Sequence, residues 1–304
     1  MRHIRKIATA AALSGMFALG SASIALAGPV GLYGSVGNGS GPNRGDILKI
    51  NLTDTSINTV VGNPTTSGGI TGIAFDAEDR LWGSQLFGFN STSTLIRIDP
   101  NNGALIGTAK NIHTDALNPT TTQIAIGDLA YNPLTDTLYG ITSDAGPPGG
   151  FPGDGIYTID TGTGLASFVG PTIWDTNAGI AFDAAGTLYA LGFDPFVGPP
   201  GGTNMLFTLD AMTGAELTRV TVDINDFIFS GLGINPLTGE IYATESRTGN
   251  IYTVNKDTGE MTFTGKPDGA FVSDVAFRIP EPGTLAVLGL GLVGLAITRR
   301  RRVI

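Results

Sequence analysis

One apolar segment recurs five times along this 304-residue chain, and the recurrence restricts the fold more than any other feature. The copies are Gly72-Ile73-Ala74-Phe75-Asp76, Asp128-Leu129-Ala130-Tyr131-Asn132, Gly179-Ile180-Ala181-Phe182-Asp183, Gly231-Leu232-Gly233-Ile234-Asn235 and Asp274-Val275-Ala276-Phe277-Arg278. Measured at the second residue of each, the spacings are 56, 51, 52 and 43. A polar turn and a second apolar stretch follow the first four copies: Leu81-Trp82-Gly83, Leu138-Tyr139-Gly140, Leu188-Tyr189-Ala190 and Ile241-Tyr242-Ala243. A third stretch (95–99, 156–160, 206–210 and 251–255) ends in Asp or Asn, with Gly103, Gly164, Gly214 and Gly259 four residues later. An Asx side chain capping its own turn, then glycine free to take positive φ, marks a hairpin. A fourth strand comes next, as in 165–170 and 261–265.

Four short strands per unit of about 45–55 residues is the pattern of a β-propeller blade. The count also closes. Leu32-Tyr33-Gly34, 47–51 and 58–62 match strands two, three and four but lack a strand one, while Val275-Ala276-Phe277 stands alone at the other end. Joining them makes one split blade, giving five blades and no open sheet edge. The predicted fold is therefore all-β, a five-bladed propeller over 28–278 closed by pairing its N- and C-terminal strands. An open β-solenoid is the other architecture such a repeat permits. Composition agrees: 45 Gly and 17 Pro with only 14% charged residues suit short strands and turns rather than helices or disorder. Cysteine is absent, which excludes disulfides and Cys-ligated metal, so the core alone must hold the fold.

The ends are of a different character. Arg2, Arg5 and Lys6 precede an apolar stretch from Ile7 to Leu26, and Ala25-Leu26-Ala27 is an A-x-A cleavage site. This reads as a signal helix over 1–27, cut by signal peptidase after Ala27 to leave Gly28 as the mature N-terminus. The last segment, 279–304, carries Pro280-Glu281-Pro282, an apolar run over 283–298, and Arg299, Arg300, Arg301 and Arg302. As a helix the run would be about 24 Å long, slightly short for a bilayer. Snorkelling arginines and local thinning accommodate a transmembrane helix of that length, and the arginines hold its end in the cytoplasm.

Motif order, spacing and terminal position make this tail resemble the PEP-CTERM sorting signal. The resemblance covers only about 25 residues. It implies that exosortase, a membrane cysteine peptidase of bacteria that make exopolysaccharide, reads Pro280, Glu281 and Pro282. It further implies export across the inner membrane, transient anchoring, and release to the cell surface or extracellular matrix. The family more often has Val where this chain has Ile279.

Charge narrows the function classes. The 17 basic residues include seven at the two ends, leaving ten against 26 acids over 28–282, a body near −16. Such a body repels phosphate backbones, so nucleic acid is excluded as a partner. Catalytic signals are thin: His3 leaves with the signal, so a triad would depend on His113 alone, in a polar loop stretch. No catalytic residue is assigned. No cofactor is required; Ca²⁺ on Asp154, Asp194, Asp226 and Asp268 is the candidate metal site, without any Asp-x-Asp-x-Asp-Gly loop to support it.

Propeller topology gathers the loops between strands two and three, and between blades, on one face. These loops are the long ones, so a ligand site is expected there, built from Trp174, Asp175, Asp194, Phe196 and Asp226. Aromatic platforms beside carboxylates suit sugar rings. The preferred expectation is a non-enzymatic surface or matrix protein binding exopolysaccharide or another surface protein; the alternative is a secreted lactonase-like or glycosidase-like hydrolase.

Overall fold

Apolar residues alternating with polar ones build each repeat into a four-stranded antiparallel sheet. The structure, a computed structural model, describes residues 30–64, 68–87, 92–142, 155–172, 175–194, 202–224, 229–245 and 247–279. The first complete blade is β4 (Gly69–Phe75), β5 (Leu81–Leu86), β6 (Ser93–Ile98) and β7 (Leu105–Asn111). The second is β8 (Ile126–Asn132), β9 (Thr137–Thr142), β10 (Gly155–Ile159) and β11 (Ala166–Pro171). The third is β12 (Asp175–Phe182), β13 (Leu188–Asp194), β14 (Thr203–Leu209) and β15 (Glu216–Thr221). The fourth is β16 (Phe229–Ile234), β17 (Ile241–Glu245), β18 (Ile251–Val254) and β19 (Met261–Gly265).

The fifth blade is the expected split one. Strand β20 (Val272–Arg278) pairs antiparallel with β1 (Gly31–Val36), setting Leu32 opposite Phe277 and Gly34 opposite Val275; β2 (Ile47–Ile50) and β3 (Asn58–Gly62) complete it. Closure removes the unpaired edge of β1. It does not remove every edge, because β3, β7, β11, β15 and β19 remain as outer strands, paired on one side only. Exposed and partly exposed residues make up all of β7 and β15, which fits strands that face water.

The turns follow the sequence reading. Asp99, Asp160, Asp210 and Asn255 each cap the turn after strand three, accepting from backbone N–H two or three residues ahead at 2.9, 2.7, 2.8 and 2.9 Å. Gly103, Gly164, Gly214 and Gly259 all take positive φ there. Between strands one and two, Asn132 and Asn235 cap in the same way at 2.9 and 3.0 Å.

Hydrophobic cores lie in five wedges between successive blades. In one wedge Ile141 and Ile156 meet Ile180, Leu188 and Phe207; in the closing wedge Tyr242 and Ile251 meet Leu32, Leu48, Val275 and Phe277. A recurring aromatic pair joins strand two of one blade to strand one of the next: Tyr33–Phe75, Tyr139–Phe182 and Tyr242–Phe277, edge to face at 5.2, 5.0 and 5.3 Å. Each fully buried large apolar side chain contributes about 1.5–3 kcal/mol, so this cyclic set of wedges can hold the ring without disulfides.

Helical turn among the described residues is confined to a 3-10 segment, Asn38–Asn43. The expected signal helix, Ala25, Ala27 and Gly28, and the tail with Pro280, Glu281, Pro282 and Arg299 to Arg302 lie outside the described residues. No helix among the described residues is long and apolar enough to cross a membrane.

Candidate functional site

Strand one of every blade lines the axis, which turns the five-fold sequence repeat into stacked rings of side chains. Ile73, Leu129, Ile180, Leu232 and Val275 form one ring; Phe75, Tyr131, Phe182, Ile234 and Phe277 form another two residues along. With Pro133, Ala184, Pro236 and Ile279 they enclose an apolar funnel of about 190 Å³. Strand one ends on the short-turn face, so this funnel opens opposite the long loops.

One residue before the first ring the repeat reads Gly72, Asp128, Gly179, Gly231 and Asp274. Asp128 and Asp274 are wholly buried, at 0% exposure. Asp128 accepts the N–H of Ile180 at Oδ2 and of Leu129 at Oδ1, both at 2.7 Å. Asp274 accepts the N–H of Ile73 at Oδ2 and of Val275 at Oδ1, both at 2.6 Å. Each carboxyl therefore reaches from its own inner strand to that of the next blade, β8 to β12 and β20 to β4. The glycines make room for this convergence: a Cβ on Gly72 would lie 2.6 Å from the Asp128 Cα, and one on Gly231 would lie 2.4 Å from the Asp274 Cα.

Burial pushes the Asp274 carboxyl up to about 7, against the lowering effect of hydrogen bonds from Asp128 and from backbone N–H groups. Burial also raises Asp128 well above the carboxylate range, and the Asp274 charge and a hydrogen bond to Asp274 add to it. Both carboxyls are therefore held above the ordinary carboxylate range, chiefly by burial. All four oxygens are occupied by backbone donors, so the pair acts as a clasp between inner strands rather than as a cation ligand set. The sequence held a signal for it: Asp stands at two copies of a position that is Gly in the other three.

The residues expected to bind a ligand are placed less completely. Trp174, Phe196 and Asp226 lie outside the described residues, as does Asp154. Asp175 opens β12, opposite Phe193 of β13. Asp194, at the long-loop end of β13, is buried and ion-paired to Arg219 at 3.0 Å, and Arg219 also holds Glu216 at 2.5 and 2.6 Å. Asp268 is exposed between β19 and β20. Among the described residues no group of three or more His, Cys, Asp or Glu is arranged to hold a metal.

His113 lies in the stretch between β7 and β8 and is 5% exposed, bridging to Gln123 and Leu165, with Nδ1 2.8 Å from the Asn111 carbonyl oxygen. Its backbone bonds to Gly164 and Ala166 fasten the link between two blades to β11, a structural task. Phe229 belongs to a core wedge, edge to face with Tyr252 at 5.9 Å.

Beyond Arg278, where β20 ends, the chain matches the family described as "PEP-CTERM protein-sorting motif" over residues 278–302. The tail is a PEP-CTERM sorting motif. PEP-CTERM proteins are exported and pass through a membrane-anchored stage on the way to the cell surface, so this chain is an exosortase-sorted surface protein carrying a five-bladed propeller. No curated protein matches the chain. Among solved structures it is similar to a chain of the nidogen/laminin complex, with 13% identity, TM-score 0.53, and 83% of this chain and 99% of that one covered. It is also similar to a gluconolactonase from Xanthomonas campestris, with 16% identity, TM-score 0.45, and 75% and 70% covered. At 13% identity the likeness to the nidogen/laminin chain is one of fold alone.

Proposed function

We propose that this PEP-CTERM protein is a non-enzymatic binding module displayed at the cell surface, and that its long-loop face takes exopolysaccharide. The observation that carries this reading is the polarity of the closing blade. Because β20 and β1 run antiparallel, β20 ends and β1 begins on the short-turn face, so the long loops occupy the opposite face of the propeller. The axial carboxyls support a binding rather than a hydrolytic role, since Asp128 and Asp274 are buried and spend their oxygens on backbone N–H groups.

In this reading signal peptidase cuts after Ala27, and exosortase recognises Pro280, Glu281 and Pro282 while 283–298 spans the membrane with Arg299 to Arg302 on the cytoplasmic side. Trp174 and Phe196 offer ring faces to the sugar, and Asp175 and Asp226 accept its hydroxyls. Asp194, paired to Arg219, is the fifth residue of the proposed site. The test is retention of the purified protein on the producer's own exopolysaccharide. Trp174→Ala is expected to weaken retention at an unchanged melting temperature. Equal retention of mutant and parent would sink the glycan assignment.

A further inference from the structure

The short-turn face has features that the sorting motif does not account for. Its turns carry the large apolar side chains Leu134 and Leu237, exposed to 66% and 69%, and Ile279 at the funnel mouth is 47% exposed. Leu134 follows Pro133 and Leu237 follows Pro236, and both prolines line the funnel rim. Asx caps fix both turns, so these leucines are held outward on rigid supports.

The exit of the chain is fixed on this same face. Arg278, the last residue of β20, donates to both carboxylate oxygens of Asp79 at 2.5–3.0 Å, to the Tyr33 hydroxyl at 3.3 Å and to Asn101 Oδ1 at 3.2 Å. From Ile279 to Gly283, where the apolar run starts, is four residues, a reach of at most about 14 Å. An anchor in that run would therefore tether the propeller through the face bearing Leu134, Leu237 and the funnel.

We propose that the short-turn face is a lipid-contacting surface, on which Leu134, Leu237 and Ile279 seat against the bilayer interface while the protein is anchored. Apolar side chains on rigid turns, brought to the interface by a tether, gain burial without further ordering cost. The carboxylates of Asp99, Asp160 and Asp210 cap turns on the same face, so contact with anionic lipid strengthens as salt screens them. This inference rests on reading 283–298 as a membrane anchor.

The chain has no cysteine, so single labels are unambiguous. The full chain carrying Leu134→Cys, Leu237→Cys or Asp268→Cys is labelled with nitrobenzoxadiazole. Each is reconstituted into phosphatidylethanolamine–phosphatidylglycerol vesicles containing spin-labelled lipid. Asp268 is exposed on the long-loop face and serves as the distal position. Quenching at 134 and 237 is expected to exceed that at 268 by about twofold or more, and to grow with salt. Protein that floats with the vesicles but shows equal quenching at all three sites, or more at 268, overturns the lipid contact and leaves the anchor reading standing. Labels at 134 and 237 shielded from water yet unquenched overturn it as well, since a protein would then cover that face. Failure to float with vesicles overturns the anchor reading and the lipid contact with it.

Discussion

Burial without a counter-ion makes a carboxyl group hold its proton, and Asp128 and Asp274 meet that condition together. Two like charges this close cannot both ionise in a site closed to water, so one proton is retained where an exposed pair would have lost both. The sign of the linkage follows. Both folded-state pKa values lie above the unfolded value, so the stabilisation is complete at low pH and is lost as pH rises through the folded value, about 7 for Asp274. The unfolding free energy should therefore fall as pH rises from about 4 to about 7, by up to about 1.4 kcal/mol per pH unit for the one proton held by Asp274, and the melting temperature should fall with it. Asp274→Asn keeps the shape and an acceptor oxygen but cannot ionise, and should flatten that dependence. A parent protein whose thermal unfolding is level across the same range would show that no shared proton holds the axis.

At the scale of the inner strand, glycine decides how near neighbouring blades can come. Gly231 passes so close to β20 that a Cβ would stand 2.4 Å from both the Ser273 carbonyl oxygen and the Asp274 Cα. Backbone on the far side cannot swing away as a flexible side chain can. Gly231→Ala is thus expected to cost about 1–3 kcal/mol or more. Gly39, on the long-loop face, has nothing within 4 Å of its Cβ direction, and Gly39→Ala should leave stability nearly unchanged. Calorimetry of the two variants tests the axis directly, and equal melting temperatures would refute the close approach.

Across the whole molecule, stability depends on closure, because each core wedge belongs to two blades and none is complete alone. Removing β20 opens two wedges at once: Val272, Val275 and Phe277 leave the one shared with β17 and β18, and Ala276 leaves the one shared with β4 and β5. It also removes the Arg278–Asp79 tie and one member of the carboxyl pair. Deleting 272–278 should abolish cooperative unfolding, whereas deleting seven residues of a long loop should lower the melting temperature by only a few degrees, since loop-closure entropy varies slowly with length. A truncated protein that melts like the parent would rule out ring closure through β20.

Blade number, strand order, the split blade and the turn caps were all legible in the amino-acid sequence. The strands and turn caps are set by contacts within a few residues (alternation with period two, an Asx cap on its own turn, a glycine at positive φ), and the split blade followed from the repeat count, which left 274–278 without partners and 32–62 without a first strand. The PEP-CTERM tail was legible for the same reason, as a contiguous motif. Only the tertiary structure decided what faces what across blades. His113 sits among polar residues in sequence and still becomes buried, because its partners Gly164 and Ala166 come from another blade. Asp128 and Asp274 are 146 positions apart and look like ordinary acids until the ring brings both to the axis. The funnel's place on the short-turn face came from strand polarity around a closed ring, a property that no single repeat possesses.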